Sequence, residues 1–453
     1  MDDLNTMPHT TNIFTKKVNI GLLAILIMSS MDVSALENGN PLVNHIYTAD
    51  PSAHVFENRV YIYPSHDEDD AMRYTMKDYH VLSSADLLTW EDHGIALSVD
   101  NVPWASQKMW APDCVYKDGT YYFYFPAKDK DNNFRIGVAT SDSPAGPFTA
   151  EPSYIQGSDE IDPAVFIDDD GQAYLYWGGK SVKVAKLDAS MKKINGEILK
   201  LKGVDYFYEA AWMHKYQTTY YLSYSTGKFL PDTNDHLIAY ATADSPTGPF
   251  SYQGIVNGDV SGITNHHSIV EYKGQWYLFY HNSDLSGGNN TRRSVAADYL
   301  HFNDDGSIRP VIQTELGIGR YNGRSTIEAE NYSETNNTKK RENFNDDGLH
   351  VVFDNNDKII FNNIDFDNLS FNHVQLKVTS ETDTGTVMVR TKTGTLLAEI
   401  TIPKTEGIGK WKTVGGKIGP LTGTNDISFS YVDASATDSV LRLDSILFTK
   451  DTD

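Results

Sequence analysis

Lys117-Asp118-Gly119-Thr120-Tyr121-Tyr122-Phe123-Tyr124 is the stretch that decides the fold. A short polar turn is followed by apolar and aromatic residues, the pattern of a hairpin feeding a β-strand. The unit also stands at Glu57-Asn58-Arg59-Val60-Tyr61-Ile62-Tyr63 and at Asp170-Gly171-Gln172-Ala173-Tyr174-Leu175-Tyr176. It returns at Gln217-Thr218-Thr219-Tyr220-Tyr221-Leu222-Ser223-Tyr224 and at Lys273-Gly274-Gln275-Trp276-Tyr277-Leu278-Phe279-Tyr280. Copies spaced by roughly fifty residues, with no amphipathic helical period between them, predict an all-β chain whose residues 40–315 form a five-bladed β-propeller. A plain sandwich of the same length would not require the copies to share one internal order.

A second repeated unit fits between the first. Ser141-Asp142-Ser143-Pro144-Ala145-Gly146-Pro147-Phe148 nearly recurs as Ala243-Asp244-Ser245-Pro246-Thr247-Gly248-Pro249-Phe250, with a degenerate copy at Ser83–Trp90. Each follows an apolar strand, which predicts a tight loop leading into a blade's outer strand.

The repeat also places chemistry. Ahead of each aromatic hairpin one polar residue opens an apolar segment: Asp50, Asp113, Asp162, Glu209 and His267. Equivalent positions of successive blades ring the axis of a propeller, so these side chains are expected to surround one channel. Asp50 and Asp162 each precede a proline, an arrangement that taken singly marks only a turn. A carboxyl pair on one site is what glycosidic bond hydrolysis needs: an acid for the leaving oxygen and a second carboxylate.

Composition bounds the rest. The chain has 453 residues, 40% of them hydrophobic, too many for one ordinary core. Past Pro310 the repeat stops. Gly317–Gly323 reads as a linker, and residues 325–453 carry short β-rich runs such as Val374–Val378 and Thr386–Arg390, which predict a β-sandwich. A net charge of −23 argues against nucleic acid and anionic membranes as partners. Cys114 is the sole cysteine, so no disulfide can form within the chain, and its apolar neighbourhood predicts a buried small hydrophobe. Residues 1–35 read as a signal peptide: Lys16 and Lys17, the apolar run Ile20–Met28, then Val33-Ser34-Ala35 as a cleavage site. The expectation is a periplasmic or secreted monomer without membrane insertion once the signal is removed.

Residues 44 to about 312 resemble glycoside hydrolase family 43. The resemblance rests on Ala49-Asp50-Pro51, Trp110-Ala111-Pro112-Asp113, Ile161-Asp162-Pro163-Ala164, Tyr208-Glu209-Ala210 and Asn265-His266-His267-Ser268. It implies an inverting propeller enzyme with Asp50 as general base, Glu209 as general acid and Asp162 as the carboxylate that orients the acid and raises its pKa. It further implies substrate contacts at Trp110, Arg293, Tyr208 and Trp177, and a channel calcium ion at His267. The tail resembles a family 6 carbohydrate-binding module of jelly-roll type through Glu328-Ala329-Glu330-Asn331-Tyr332, Asp347-Gly348-Leu349-His350-Val351 and Leu443-Asp444-Ser445-Ile446. There the resemblance implies a structural calcium on Glu328, Glu330 and Asp444; the chain departs from the family at Asn356-Asp357-Lys358-Ile359 and Ser445, which leaves Trp411 and Phe353 as the candidate aromatic platforms for sugar. Together the two resemblances imply an α-L-arabinofuranosidase acting on arabinoxylan or a related arabinose- and xylose-containing polysaccharide. The alternatives are a β-xylosidase or arabinanase and, in another class, a non-catalytic sugar-binding propeller.

Overall fold

The hairpin turns behave as their sequences require. Glu57 and Asn58, Asp118 and Gly119, and Lys273 and Gly274 all have positive φ. Two left-handed residues in a two-residue loop make the turn whose twist matches that of the flanking strands, and they fix the register as Phe56 opposite Arg59, Lys117 opposite Thr120 and Tyr272 opposite Gln275. The computed structural model describes residues 36–37, 39–227, 236–258, 260–342, 349–382, 385–433 and 440–450; residues 1–35, which the sequence suggests are a signal peptide, lie outside them.

A two-residue strand, β1 (Leu36–Glu37), precedes a series of antiparallel sheets. The first comprises β2 (Tyr47–Phe56), β3 (Arg59–Asp67), β4 (Asp78–Ser84) and β5 (Glu91–Ser98). The second comprises β6 (Ala105–Gln107), β7 (Asp113–Lys117), β8 (Thr120–Asp129), β9 (Phe134–Ser141) and β10 (Thr149–Ala150). The third holds β11 (Ala164–Ile167), β12 (Ala173–Trp177), β13 (Lys183–Leu187) and β14 (Ile194–Lys200). The fourth holds β15 (Glu209–Tyr216), β16 (Thr219–Ser225), β17 (Ile238–Ala243) and β18 (Ser251–Asn257), and the fifth β19 (His267–Tyr272), β20 (Gln275–Asn282) and β21 (Ser294–Leu300). The repeated loops at 141–148 and 243–250 join β9 to β10 and β17 to β18, as their position in the sequence predicts.

Both faces of the second hairpin strand are buried, which is why aromatics alternate there without a polar face. Tyr61 and Tyr63 of β3 pack with Phe123 and Phe125 of β8, while Val60 and Ile62 pack with Phe279 of the fifth sheet. Tyr124 packs with Leu175 and Trp177 of the third sheet, whereas Tyr174 and Tyr176 pack with Leu222 and Tyr224 of the fourth. Tyr221 and Tyr240 meet Leu278 and Tyr280 of the fifth. Each fully buried large side chain contributes roughly 1.5–3 kcal/mol. The first strands β2, β7, β11 and β15 each contact the next, β15 contacts β19, and β19 contacts β2.

Two further sheets share one core built on Phe353, Phe361, Val374, Val389, Phe429 and Phe448. One runs in the order β1, Arg320–Asn322, Lys358–Asp365, Thr424–Val432, Thr386–Thr391, Leu396–Thr401; the other in the order Lys339–Glu342, Leu349–Phe353, Leu441–Thr449, Phe371–Ser380, Lys412–Leu421. The stretch read as a linker is therefore partly a strand: Arg320–Asn322 pairs with β1 on one side and Lys358–Asp365 on the other. By their contacts residues 35–453 form one compact unit. Among the described residues no helix is long and apolar enough to cross a membrane.

Candidate active site

Local irregularities aim the carboxylates. In the β2–β3 pair the register slips between Ala49 and Ser52, and in the β15–β16 pair between Glu209 and Trp212. Such bulges turn a side chain away from the regular pleat. Asp50 has φ 49°, Asp162 φ 58° and Ala210 φ 61°. Left-handed backbone costs an L-residue roughly 1–2 kcal/mol, and this local strain is concentrated at the carboxylates. Pro51 and Pro163 follow two of them and donate no N–H, so the break in the ladder leaves no orphaned donor there.

Asp50 is buried among donors. Ser65 Oγ donates to its Oδ2 at 2.5 Å, and Arg293 Nη1 to its Oδ1 at 3.0 Å. Its backbone N–H donates to His281 Nδ1 at 3.0 Å, which makes that nitrogen the unprotonated one. His266 Nδ1 stands 3.7 Å from Asp50 Oδ1. Burial alone would raise the Asp50 pKa, but the Arg293 guanidinium, helped by the histidines and Ser65, brings it down to about 2. Burial pushes His281 down to about 3 and His266 to about 4. Both imidazoles are thus neutral at pH 7, and Arg293 supplies the charge that keeps Asp50 ionised there. Arg293 is fixed by Asp67, which accepts from its Nε at 2.8 Å and its Nη2 at 2.9 Å.

Asp162 and Glu209 sit in the opposite field. Burial and the neighbouring Glu209 carboxyl raise Asp162 well above the usual carboxylate range, with Asp50 adding to the effect. Burial and the Asp50 charge push Glu209 up to about 7. The backbone N–H of Ala210 donates to Asp162 Oδ2 at 3.0 Å, tying the third sheet to the residue after Glu209. Burial is the larger cause for both carboxyls, and the neighbouring negative charges add to it.

Asp50, Asp162 and Glu209 line one cavity of about 640 Å3, with Trp110, Tyr208, Arg293 and His266 in its wall. Trp110 is held from behind: its Nε1 donates to the Tyr74 carbonyl at 3.1 Å, and its ring lies 4.6 Å from that of Phe134. Arg293 belongs to this wall, yet Asp67, Asp50 and Thr264 take its donors, so it acts mainly as the counter-ion of Asp50. Trp177 does not reach the cavity. It is fully buried in the core between the second and third sheets, on the face of β12 that points away from the fourth. The sequence reading missed Asp67 and His281. His281 follows the fifth aromatic repeat by one residue and carries its alternation forward, which was the available signal. Asp67 lies in the acidic run after the first repeat, and its partner is 226 residues away.

The other two ring positions are pegs. Asp113 Oδ1 accepts from Ser52 Oγ at 2.6 Å and pairs with His54 Nε2 at 2.7 Å, while Oδ2 accepts the Val165 N–H at 2.5 Å, so one carboxylate joins three sheets. His267 Nε2 meets Ser223 Oγ at 2.6 Å; its Nδ1 is buried with no hydrogen-bond partner among the described residues. That orphaned nitrogen fits a single contact to a hydrated calcium ion, an ion that otherwise prefers oxygen ligands. The module set fits poorly. Lys377 Nζ sits 3.0 Å from Asp444 Oδ2, where a calcium ion would need that oxygen, and Glu328 is exposed. Among the described residues the group of His and carboxylate donors gathered within 4.8 Å is elsewhere, at His66, Asp78 and His80. Of the module's expected platforms, Phe353 is buried in the core and Trp411 is half-buried beneath Lys377.

Residues 38–308 match the family model of glycosyl hydrolases family 43, and residues 328–450 that of carbohydrate binding module family 6. Xylosidase/arabinosidase 43A of Humicola insolens is 45% identical over 59% of this chain and 98% of its own length. The arabinoxylan arabinofuranohydrolase of Bacillus subtilis is 30% identical over 95% of this chain and 96% of its own length. Among solved structures, the calcium-free form of a family 43 β-xylosidase/α-arabinofuranosidase from a compost microbial metagenome, in complex with xylotriose, shares 46% identity. It covers 61% of this chain and 97% of that one with a TM-score of 0.58.

Proposed function

Given that the chain belongs to glycosyl hydrolases family 43 and carries a family 6 carbohydrate-binding module, we propose that it is an inverting exo-glycosidase releasing terminal α-L-arabinofuranosyl units from arabinoxylan or a related plant polysaccharide. The observation that carries this reading is the opposed proton affinity of two carboxyls in one cavity: Asp50 held at about 2 and Glu209 at about 7. At neutral pH Asp50 is a carboxylate able to take a proton from water, and Glu209 still holds one to give. Water activated by Asp50 attacks the anomeric carbon from one face, and Glu209 protonates the glycosidic oxygen as its bond to that carbon breaks. Asp162, which accepts the Ala210 N–H, and Glu209 hold one proton between them, because a second negative charge in the same buried site is disfavoured. Trp110 and Tyr208 supply the apolar faces against which a pentose ring packs.

The consecutive first-strand contacts and the paired cores between successive sheets support reading the five sheets as the blades of one propeller over residues 40–315, with residues 325–453 as a sandwich module. A hydrated calcium ion at His267 is part of this proposal, and no catalytic step passes through it. The amino-terminal pattern supports export.

A β-xylosidase reading has its own support. Relatives called xylosidase/arabinosidase in Humicola insolens and Bacteroides ovatus are 45% and 43% identical, against 30% for the arabinofuranohydrolase of Bacillus subtilis. The test is product analysis on arabinoxylan and xylotriose, with the first-formed anomer followed by proton NMR. Arabinose released from arabinoxylan supports the first reading, and xylose from xylotriose without arabinose release supports the second. A product that keeps the configuration of the cleaved bond overturns inversion.

A further inference from the structure

His66, near the end of β3, and Asp78 and His80, in β4, bring ligand atoms within 4.8 Å of one another on the first sheet. They lie outside the lining of the catalytic cavity. All three are half-buried. His66 Nδ1 pairs with Asp78 Oδ1 at 2.7 Å, and the two imidazole rings lie 4.9 Å apart edge to face. His80 Nδ1 pairs with Asp92 at 2.9 Å to Oδ1 and 3.1 Å to Oδ2. Asp92 is itself anchored by His45 Nε2 at 2.7 Å and by the Gly94 N–H at 2.8 Å.

Each ring is therefore engaged by a carboxylate at Nδ1, and among the described residues hydrogen bonds engage these two rings only at that nitrogen. At His80, Nδ1–H given to Asp92 leaves the Nε2 lone pair for a metal, the arrangement that orients a histidine as a ligand and raises its basicity; at His66 it is Nδ1, 2.7 Å from Asp78 Oδ1, that an ion would share with that carboxylate in place of the proton between them. Two imidazole nitrogens and one carboxylate oxygen match a borderline divalent ion of the zinc class. Calcium instead asks for six to eight oxygens. A tetrahedral ion at zinc's bond lengths needs its ligands about 3.3–3.5 Å apart, so side-chain rotation of about 1.5 Å or less closes the group.

We propose that His66, Asp78 and His80, brought together where β3 meets β4, bind a zinc-class divalent metal ion, with Asp92 as the positioning residue behind His80. The ion closes the mouth of the loop at 68–77, whose Tyr74 and Met76 line the catalytic cavity. It also braces β3 at His66, between Ser65, which donates to Asp50, and Asp67, which holds Arg293. The site is structural and stands on the first sheet alone, so it does not depend on which pentoside is cleaved.

The test uses the untagged full chain in buffer containing excess calcium, so that oxygen-rich sites are already filled. ZnCl2 is titrated calorimetrically, and CoCl2 is followed by visible d–d absorption. One equivalent of zinc is expected to bind and raise Tm, with cobalt giving the intense bands of a four-coordinate site. His66→Ala and His80→Ala should each lose at least about 100-fold in zinc affinity. Asp92→Asn, which leaves all three ligands in place, should lose about 10–100-fold. Zinc binding that is undetectable in the wild type, or equal in wild type and both alanine variants, overturns the proposal. If an alanine variant does not fold, Asp92→Asn decides alone: affinity equal to wild type counts against the site, and the graded loss supports it.

Discussion

Glu209 is held away from its ordinary pKa by the neighbourhood that makes it useful, and that has a cost in stability. Burial and the Asp50 charge raise it from 4.5 to about 7 in the folded chain. A carboxyl raised on folding stabilises the protein below its unfolded pKa, and that stability is lost as pH rises through the folded value. Glu209→Gln removes the charge that appears above pH 7, so it should raise Tm at pH 8 and leave it nearly unchanged at pH 5. Activity moves the other way. General acid catalysis contributes about 10²–10⁴-fold, and Glu209→Gln should lose that much on arabinoxylan and less on 4-nitrophenyl pentosides, whose leaving group needs little protonation. Equal losses on both substrates would remove Glu209 from the acid role. The pH profile gives an independent check. Activity requires protonated Glu209, so kcat/KM should fall as pH rises through about 7. Asp162→Asn removes the carboxyl that shares a proton with Glu209, so Glu209 can ionise without a second negative charge forming beside it, and the fall should move to lower pH. An unmoved or raised limb would mean that the two carboxyls are not electrostatically linked. Asp50, Asp162 and Glu209 were legible in the sequence because each opens a repeat. Asp67 and His281 were not, because their importance comes from pairing with residues 226 and 231 positions away.

At the scale of strands and sheets, the hairpins were readable because their signal is local: a turn with two left-handed residues, then apolar residues on both faces. The same double burial misled the reading of Trp177. In a strand with a polar face an exposed tryptophan near a site suggests a sugar platform, but β12 has no such face, and its alternation sends Tyr174 and Tyr176 to one neighbour sheet and Leu175 and Trp177 to the other. Nor could the sequence tell which ring positions line the cavity and which fasten. Asp113 and Asp162 have the same place in the repeat, and each accepts a backbone N–H from the following sheet, at Val165 and Ala210. They differ in what surrounds the remaining oxygen: for Asp113 it is Ser52 and His54, for Asp162 the cavity. Asp113→Asn keeps one acceptor but can set an amide N–H against the buried Val165 N–H. An unmet buried donor costs about 1–3 kcal/mol. Urea unfolding should show a lowered midpoint with an unchanged slope, and KM for a 4-nitrophenyl pentoside should stay near wild type. A kinetic loss without a stability loss would make Asp113 part of the reaction rather than a fastening between sheets.

For the whole molecule, the sequence suggested two domains joined by a linker, and the structure gives them shared elements. Residues just before the first sheet contribute β1 to a sheet of the carboxy-terminal core, so that core is assembled from both ends of the described chain. The seam is polar. His301 Nε2 meets the Ser333 carbonyl at 2.8 Å, and half-buried Arg309 donates to the carbonyls of Asn336 at 2.8 Å and Thr335 at 3.2 Å while Asn303 steadies its Nε at 2.8 Å. Hydrogen bonds from a charged group contribute about 1.5–3 kcal/mol each when desolvated and less when exposed, so Arg309 contributes to the coupling between the two regions beside the β1 pairing. Wild-type protein should therefore unfold in one calorimetric transition. Arg309→Ala should split it, with one region melting first. The cavity residues lie between Asp50 and Arg293, on the far side of the seam in sequence. Turnover of a 4-nitrophenyl pentoside by Arg309→Ala should accordingly match wild type below the first transition. Two transitions already present in the wild type would mean that the shared strand and the polar seam do not couple the two cores. A kcat lost in the variant at low temperature would mean that the seam reaches the catalytic cavity.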